Sequence, residues 1–201
     1  MGALQERFGS CRRTTKETTI ALSIVLDGGG ESSITTGIPF FDHTLEQIAK
    51  HGGLVLEVAA TGDLEVDTHH VVEDVGICFG TALHEALGDR SGVRRFSDVA
   101  VPMDETLISV ALDLSGRPYL YYDVSPPSPY PLGSPGYDPQ LTEEFFRALV
   151  ISSGITLHIS MVRGRNTHHI VEAVSKAFGR ALREAKEVIG EDIPSTKGSL
   201  S

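Results

Sequence analysis

Basic residues are scarce in this chain: 17 Lys and Arg stand against 27 Asp and Glu, a formal charge of −10 over 201 residues. Broad nucleic-acid binding needs a basic footprint, and this balance argues against one. Long apolar runs are missing too. No stretch of about 18 apolar residues occurs, so no membrane-spanning helix is expected. The opening segment MGALQERFGSCRRTTKETT has no apolar core and does not read as a secretory signal. Cysteine occurs only twice, at Cys11 and Cys78, in unrelated contexts. The two could pair, but such sparse use suits a reduced cytoplasmic protein better. What is present is a 40 % hydrophobic chain, ordinary for a globular protein and long enough to bury a proper core. Carboxylates that hold cations would neutralise part of the acidity.

Along the chain, TTIALSIVLDGGG alternates apolar Ile20, Leu22, Ile24 and Leu26 with other residues and then meets three glycines. It predicts a strand entering a hairpin turn, with ESSITTG as the return strand. GIPFFDHTLEQIAKHGG predicts a helix stopped at Gly52-Gly53. LVLEVAATGDLEVD predicts two short strands around Thr61-Gly62-Asp63, and THHVVEDVGICFGTALHEALG a helix capped by Asp67 or Thr68. The second half follows suit. VPMDETLISVALDLSG and RPYLYYDVS predict strands, TEEFFRALVISSG a helix, ITLHISMVRG and its neighbour strands, and NTHHIVEAVSKAFGRALREAKEVIG a closing helix. The expected fold is therefore α+β, a twice-written β-β-α-β-β-α half with two mixed four-stranded sheets packing on helices. Neither half buries its apolar faces alone, so residues 1–201 form one domain of two pseudo-symmetric halves, about 13–92 and 93–198. YDVSPPSPYPLGSPGYDPQ is too rich in proline for helix or central strand and is expected as a long exposed loop, either beside a site or a mere surface connection.

The strongest feature is a doubled motif, DTHHVVED from Asp67 and NTHHIVEA from Asn166. On a helix, residues four apart lie on nearly the same face. His69 and Glu73 therefore point together, as do His168 and Glu172. Imidazole nitrogen with carboxylate oxygen suits a divalent ion such as Mn, Fe or Zn. His70 and His169 are turned about 100° away from their neighbours. Each would serve a second ion, completed by the other repeat or by another subunit. A single H-H-x-x-E would be a solvated surface feature in most proteins, and the HExxH zinc signature is absent. Recurrence at matching places in matching helices is what raises metal binding above accident. Aligning the halves on Gly53 and Gly154 sets His43 opposite Glu144, each ten residues before its glycine. His43 would complete one ligand set and Glu144 the other, with altered charge and hardness.

These stretches, together with VPMDETL, ALDLSGRPYL, EEFFRAL, GITLHI and IPSTKG, resemble the imidazoleglycerol-phosphate dehydratases from about Arg13 to Gly198. The resemblance implies a ribosomal protein S5 domain 2-like fold and a hydro-lyase of L-histidine biosynthesis. That enzyme converts D-erythro-imidazole-glycerol phosphate to imidazole-acetol phosphate through a dimanganese-bound imidazolate intermediate. It also implies a cytoplasmic homo-oligomer, a 24-mer built from trimers that bind two Mn2+ per active site between subunits. Carried over by motif, the metal ligands are His43, His69, His70, Glu73, His168, His169 and Glu172. Glu144 stands where the family often has histidine, so it coordinates directly, acts through water, or holds its ion weakly. Glu17 is expected to shuttle the proton. Substrate contacts are expected at Glu17, His43, His51, His69, Arg95, Arg117, Ser195 and Lys197, several of them suited to phosphate.

Plainer roles compete for some of these. Without the resemblance, Arg95 and Arg117 read as surface ion-pair partners and PSTKGSL as a disordered tail. His84 and His158 read as structural or interface groups. Asp42, Glu46 and Asp74 serve either as supports for the ligands or as caps and solvated acids. Two other function classes remain open. A non-catalytic metal-clustered assembly accounts for the doubled motif but not for the arginines or the tail. A two-metal phosphohydrolase accounts for metal and phosphate, but such sites favour bridging aspartates.

Overall fold

A computed structural model describes residues 6–27 and 29–200. Residues 1–5 and 201 of the expected domain, and Gly28 of the expected glycine turn, lie outside them. The first repeat runs β1 (Phe8–Thr14), β2 (Thr18–Val25), β3 (Ser33–Thr35), α1 (Pro39–Gly52), β4 (Val55–Gly62), α2 (His69–Leu87). The second runs β5 (Phe96–Met103), β6 (Thr106–Asp113), β7 (Tyr119–Asp123), α3 (Leu141–Ser153), β8 (Thr156–Arg163), α4 (Thr167–Ala185). Each repeat forms one mixed four-stranded sheet, ordered β1-β2-β4-β3 and β5-β6-β8-β7, whose last pair is parallel. The duplicated α+β architecture with two mixed sheets on helices is as expected.

The strands are distributed differently from the sequence-based expectation. Three precede the first helix of each repeat and one follows it. The two strands expected around Thr61-Gly62-Asp63 are the single strand β4. VPMDETLISVALDLSG is not one strand but the end of β5, a turn at Asp104-Glu105, and β6. ESSITTG does not return along β2. Its short strand β3 pairs with β4 instead, and the hairpin partner of β2 is β1. Strand length and patterning explain the exchange. Leu56, Val58 and Ala60 of β4 alternate with outward residues over eight positions, so β4 offers β2 a long ladder and an apolar face together. With three residues, β3 is left at the edge. The edge strand β1 is half polar on its packed side, carrying Cys11 and Arg13, and so shows no apolar alternation.

Each sheet lays one face on helices. Ile20, Leu22 and Ile24 of β2 and their counterparts Ile108, Val110 and Leu112 of β6 are buried there. The helices then pair across the repeats, α2 with α3 and α1 with α4. Two glycines permit this approach. A Cβ on Gly80 of α2 would stand 2.4 Å from the Leu149 carbonyl of α3, and one on Gly179 of α4 would stand 2.8 Å from the Ile48 carbonyl of α1. Both pairs can meet backbone to backbone only without side chains at these points. No helix among the described residues is long and apolar enough to cross a membrane.

The proline-rich connection is anchored rather than simply exposed. Tyr137 is buried, its ring stacked on Phe41 of α1 at 5.7 Å, and the Thr68 hydroxyl donates to the Gly136 carbonyl. The C-terminal segment is pinned as well. Arg90 donates to the Leu200 carbonyl at 2.8 Å and Arg95 to the Pro194 carbonyl at 2.7 Å.

Candidate metal centre

Both motif helices have a side-chain oxygen bonded into their first turn, from the N-cap Asn166 in α4 and from Asp67, one residue ahead of the N-cap Thr68, in α2. Asp67 accepts the His69 N–H at 2.8 Å, and Asn166 accepts the N–H groups of His168 and His169. The four motif histidines are all partly exposed. The i, i+4 spacing behaves as expected. His168 Nε2 lies 3.0 Å from a Glu172 oxygen, and His69 Nε2 lies 3.9 Å from Glu73. Neighbouring rings diverge, His69 from His70 by 82° and His168 from His169 by 90°.

Tertiary packing adds a third donor to one pair. The α1–α4 contact brings His43 Nε2 to 3.3 Å from the same Glu172 oxygen that faces His168. Donor atoms of His43, His168 and Glu172 all lie within 4.8 Å of one another, the only such group of three among the described residues. Glu172 is 7 % exposed. Burial works against its ionisation, but hydrogen bonds from Lys176, His43 and His168 outweigh burial and hold its pKa at about 2. It is therefore a carboxylate at any physiological pH. Two imidazoles and one carboxylate make a donor set that fits a divalent cation and leaves positions for other ligands.

The remaining expected residues fall into separate places. Glu144 is not drawn to His69 and Glu73; its oxygen lies 3.6 Å from Arg147 of its own helix. Arg95, Arg117, Ser195 and Lys197 do come together, lining a pocket of about 520 Å3. Arg95 sits there at φ +76°, a strained value for a side-chain-bearing residue, and is gripped by Asp113 at 2.7 Å. Arg117 makes no ion pair among the described residues. His51 lines a different, basic cavity with Lys50, Arg180, Arg183 and Lys186. Burial, then the charges of Lys176 and Arg180, push its pKa down. Glu17 lies 3.8 Å from His70 Nδ1. Asp42 accepts from the Thr36 N–H and hydroxyl, and Asp74 holds Arg13 and Thr18, so both serve the fold.

Three close partners of the motif were missed. Lys176 Nζ sits 2.6 Å from Glu172, a contact that the i, i+4 spacing already contained. Asp63 holds His70 Nδ1 at 3.0 Å, and Glu105 holds His169 Nδ1 at 2.9 Å. Neither of these had a local signal, because each reaches the helix from a separate turn.

Fold and site together define an internally duplicated α+β protein whose repeats bring two histidines and one carboxylate into a cluster that fits a divalent cation. A family model for imidazoleglycerol-phosphate dehydratase matches residues 36–182. The dehydratase of Symbiobacterium thermophilum is 51 % identical over 99 % of this chain and 95 % of its own, and that of Alkaliphilus metalliredigens 56 % identical over 94 % and 96 %. The crystal structure of the Staphylococcus aureus dehydratase superposes with a TM-score of 0.81 at 41 % identity, covering 90 % of this chain and 99 % of that one. The chain belongs to the imidazoleglycerol-phosphate dehydratase family, hydro-lyases of histidine biosynthesis.

Proposed function

We propose that this chain is a manganese-dependent enzyme that removes water from D-erythro-imidazole-glycerol phosphate to give imidazole-acetol phosphate. The convergence of His43, His168 and Glu172 within 4.8 Å carries the metal assignment. These three would hold one ion. His69, His70, Glu73, Glu144 and His169 would supply the other donors, in part toward copies of the chain. When bound, the cations supply Lewis acidity to the imidazole ring of the substrate.

The reaction breaks a C–H bond beside the ring and expels hydroxide from the adjacent carbon. Glu17 is suited to move the proton. Among the described residues no hydrogen bond is made to its carboxylate, and the side chain is 55 % exposed. It can therefore accept a proton from substrate and return it to the leaving hydroxyl. Arg117, Lys197 and Ser195 present cationic and hydroxyl donors to the phosphate, and Arg95 shapes that pocket from beneath. His51 offers a further donor at the end of α1. The tail pocket holds Arg117, Ser195 and Lys197, a different one holds His51, and Glu17 lies beside His70 in neither, so we take one small substrate to reach them all only where copies meet. We place the working site between subunits of a cytoplasmic homo-oligomer, a 24-mer assembled from trimers.

The test is direct. Purified protein, stripped with chelator and reloaded with Mn2+, is supplied with the substrate. Ketone product that forms only with metal supports the proposal. Release of inorganic phosphate, or turnover unchanged by chelation, overturns it.

A further inference from the structure

The turns behind the paired histidines are counterparts in the two repeats, yet they do different things. Glu17 closes the β1–β2 turn directly before Thr18, and Glu105 closes the β5–β6 turn directly before Thr106. Both face the second histidine of their motif. Glu105 is fully committed. One oxygen accepts from His169 Nδ1 at 2.9 Å, and the other accepts from the N–H groups of Arg165 and Asn166 at 3.1 and 2.8 Å and from Thr106 at 3.0 Å. Those bonds, that of His169 foremost, hold it well below the usual carboxylate range. Glu17 is 3.8 Å from His70 Nδ1 and makes no such bond.

Asp63 has taken its place. Its two oxygens lie 3.0 and 3.2 Å from His70 Nδ1. Asp63 comes ten residues after Gly53, the left-handed cap of α1; ten residues after Gly154, the cap of α3, comes Gly164. A Cβ at Gly164 would stand 2.7 Å from Ile170 and 3.0 Å from the Thr106 hydroxyl. The second repeat has no room for a side chain there and must use its turn glutamate. The first repeat has room, because its connection from strand to motif helix is longer, six residues against three.

An ionised carboxylate can only accept, so in the neutral ring each of these bonds puts the proton on Nδ1 and leaves the Nε2 lone pair free. We propose that Asp63 and Glu105 are positioning residues that aim Nε2 of His70 and His169 at a divalent cation, and that Asp63 relieves Glu17 of this duty so that its carboxylate is available to substrate. The proposal rests on the metal-dependent function given above. The other acids near these rings are Asp67 beside His70 and the exposed Asp104, 3.8 Å from His169 Nε2; neither reaches an Nδ1 atom.

The test titrates chelator-stripped protein with Mn2+ alone, counting free ion by its paramagnetic resonance signal. Asp63→Ala and Glu105→Ala are each expected to weaken one class of site by about 10–100-fold. Asp63→Asn and Glu105→Gln, which keep an acceptor oxygen without the charge, should recover most of that loss. Glu17→Ala should leave affinity unchanged in the parent protein but weaken it further in the Asp63→Ala background, where Glu17 is the remaining acceptor near Nδ1. Unchanged affinity in both alanine variants overturns the proposal while leaving metal dependence intact. An amide counterpart that recovers none of the affinity lost by its alanine variant, or an additive double variant, also overturns it; should an alanine variant fail to fold, Asp63→Leu or Glu105→Met, which keep side-chain volume without an acceptor, takes its place in the same comparisons. No Mn2+ uptake by the parent protein overturns the metal reading, and this proposal with it.

Discussion

His43 of α1 points its Nε2 at the carboxylate of Glu172 of α4, 3.3 Å away, although the two belong to opposite repeats. The same oxygen faces His168, and the other oxygen takes Lys176. Glu172→Gln removes the charge on which all three depend. Its loss of Mn2+ affinity is expected to exceed the roughly 100-fold typical of residues that merely support a ligand. A Mn2+ titration checks this, and an unchanged binding curve would take Glu172 out of the centre.

Glu172 also predicts an acid sensitivity. Its pKa falls from an ordinary 4.5 to about 2 on folding. A carboxylate lowered in this way stabilises the fold above its unfolded value and loses that contribution as pH drops through the folded one. In chelator-treated protein, Tm should therefore decline between about pH 4.5 and pH 2. Glu172→Gln should flatten that decline. Parallel Tm curves for the two proteins would contradict the assignment.

Among the described residues Glu17 makes no hydrogen bond through its carboxylate, so its replacement costs little structurally. Glu17→Gln should keep Mn2+ content and KM while lowering kcat by about 10^2–10^4-fold. Near-normal turnover removes it from proton transfer.

The two arginines of the tail pocket should separate. Arg117 makes no ion pair among the described residues and gives only a long bond to the Ser115 carbonyl, 3.4 Å, and a charged hydrogen bond is worth about 1.5–3 kcal/mol. Arg117→Ala should raise KM by about 10–100-fold with kcat nearly kept. Arg95 holds Asp113 and the Pro194 carbonyl, so Arg95→Ala should lower Tm as well. Equal Tm values for both variants would deny Arg95 its structural part.

Close helix packing gives a stability test apart from the site. Gly80→Ala and Gly179→Ala should each cost about 1–3 kcal/mol in denaturant unfolding, because the facing element offers backbone rather than a movable side chain.

Much of this was legible in the residues. The repeat, the helices, the glycine stops of α1, α2 and α3, and the pairing of His69 with Glu73 and His168 with Glu172 all follow from short-range spacing; α4 instead ends at Ala185, short of the expected Gly190. Strand pairing was less legible. Nothing local says that Ser33–Thr35 would bind β4 rather than β2, since the choice depends on the ladder β4 offers from the far side of α1. The triad was half legible. Two of its members share a helix, and His43 was expected in one of the two sets, but which pair it joins is decided by the α1–α4 crossing. Asp63 and Glu105 were invisible because they approach their histidines through space, at sequence separations of seven and 64 residues.

By itself, then, the amino-acid order determined family, duplication and the direction of each motif histidine, because helical geometry repeats every few residues and needs no partner. Only the tertiary structure decided which donors meet, which carboxylate is tied and which is left free. Those outcomes depend on how closely two helices can approach and on whether a loop has room for one side chain.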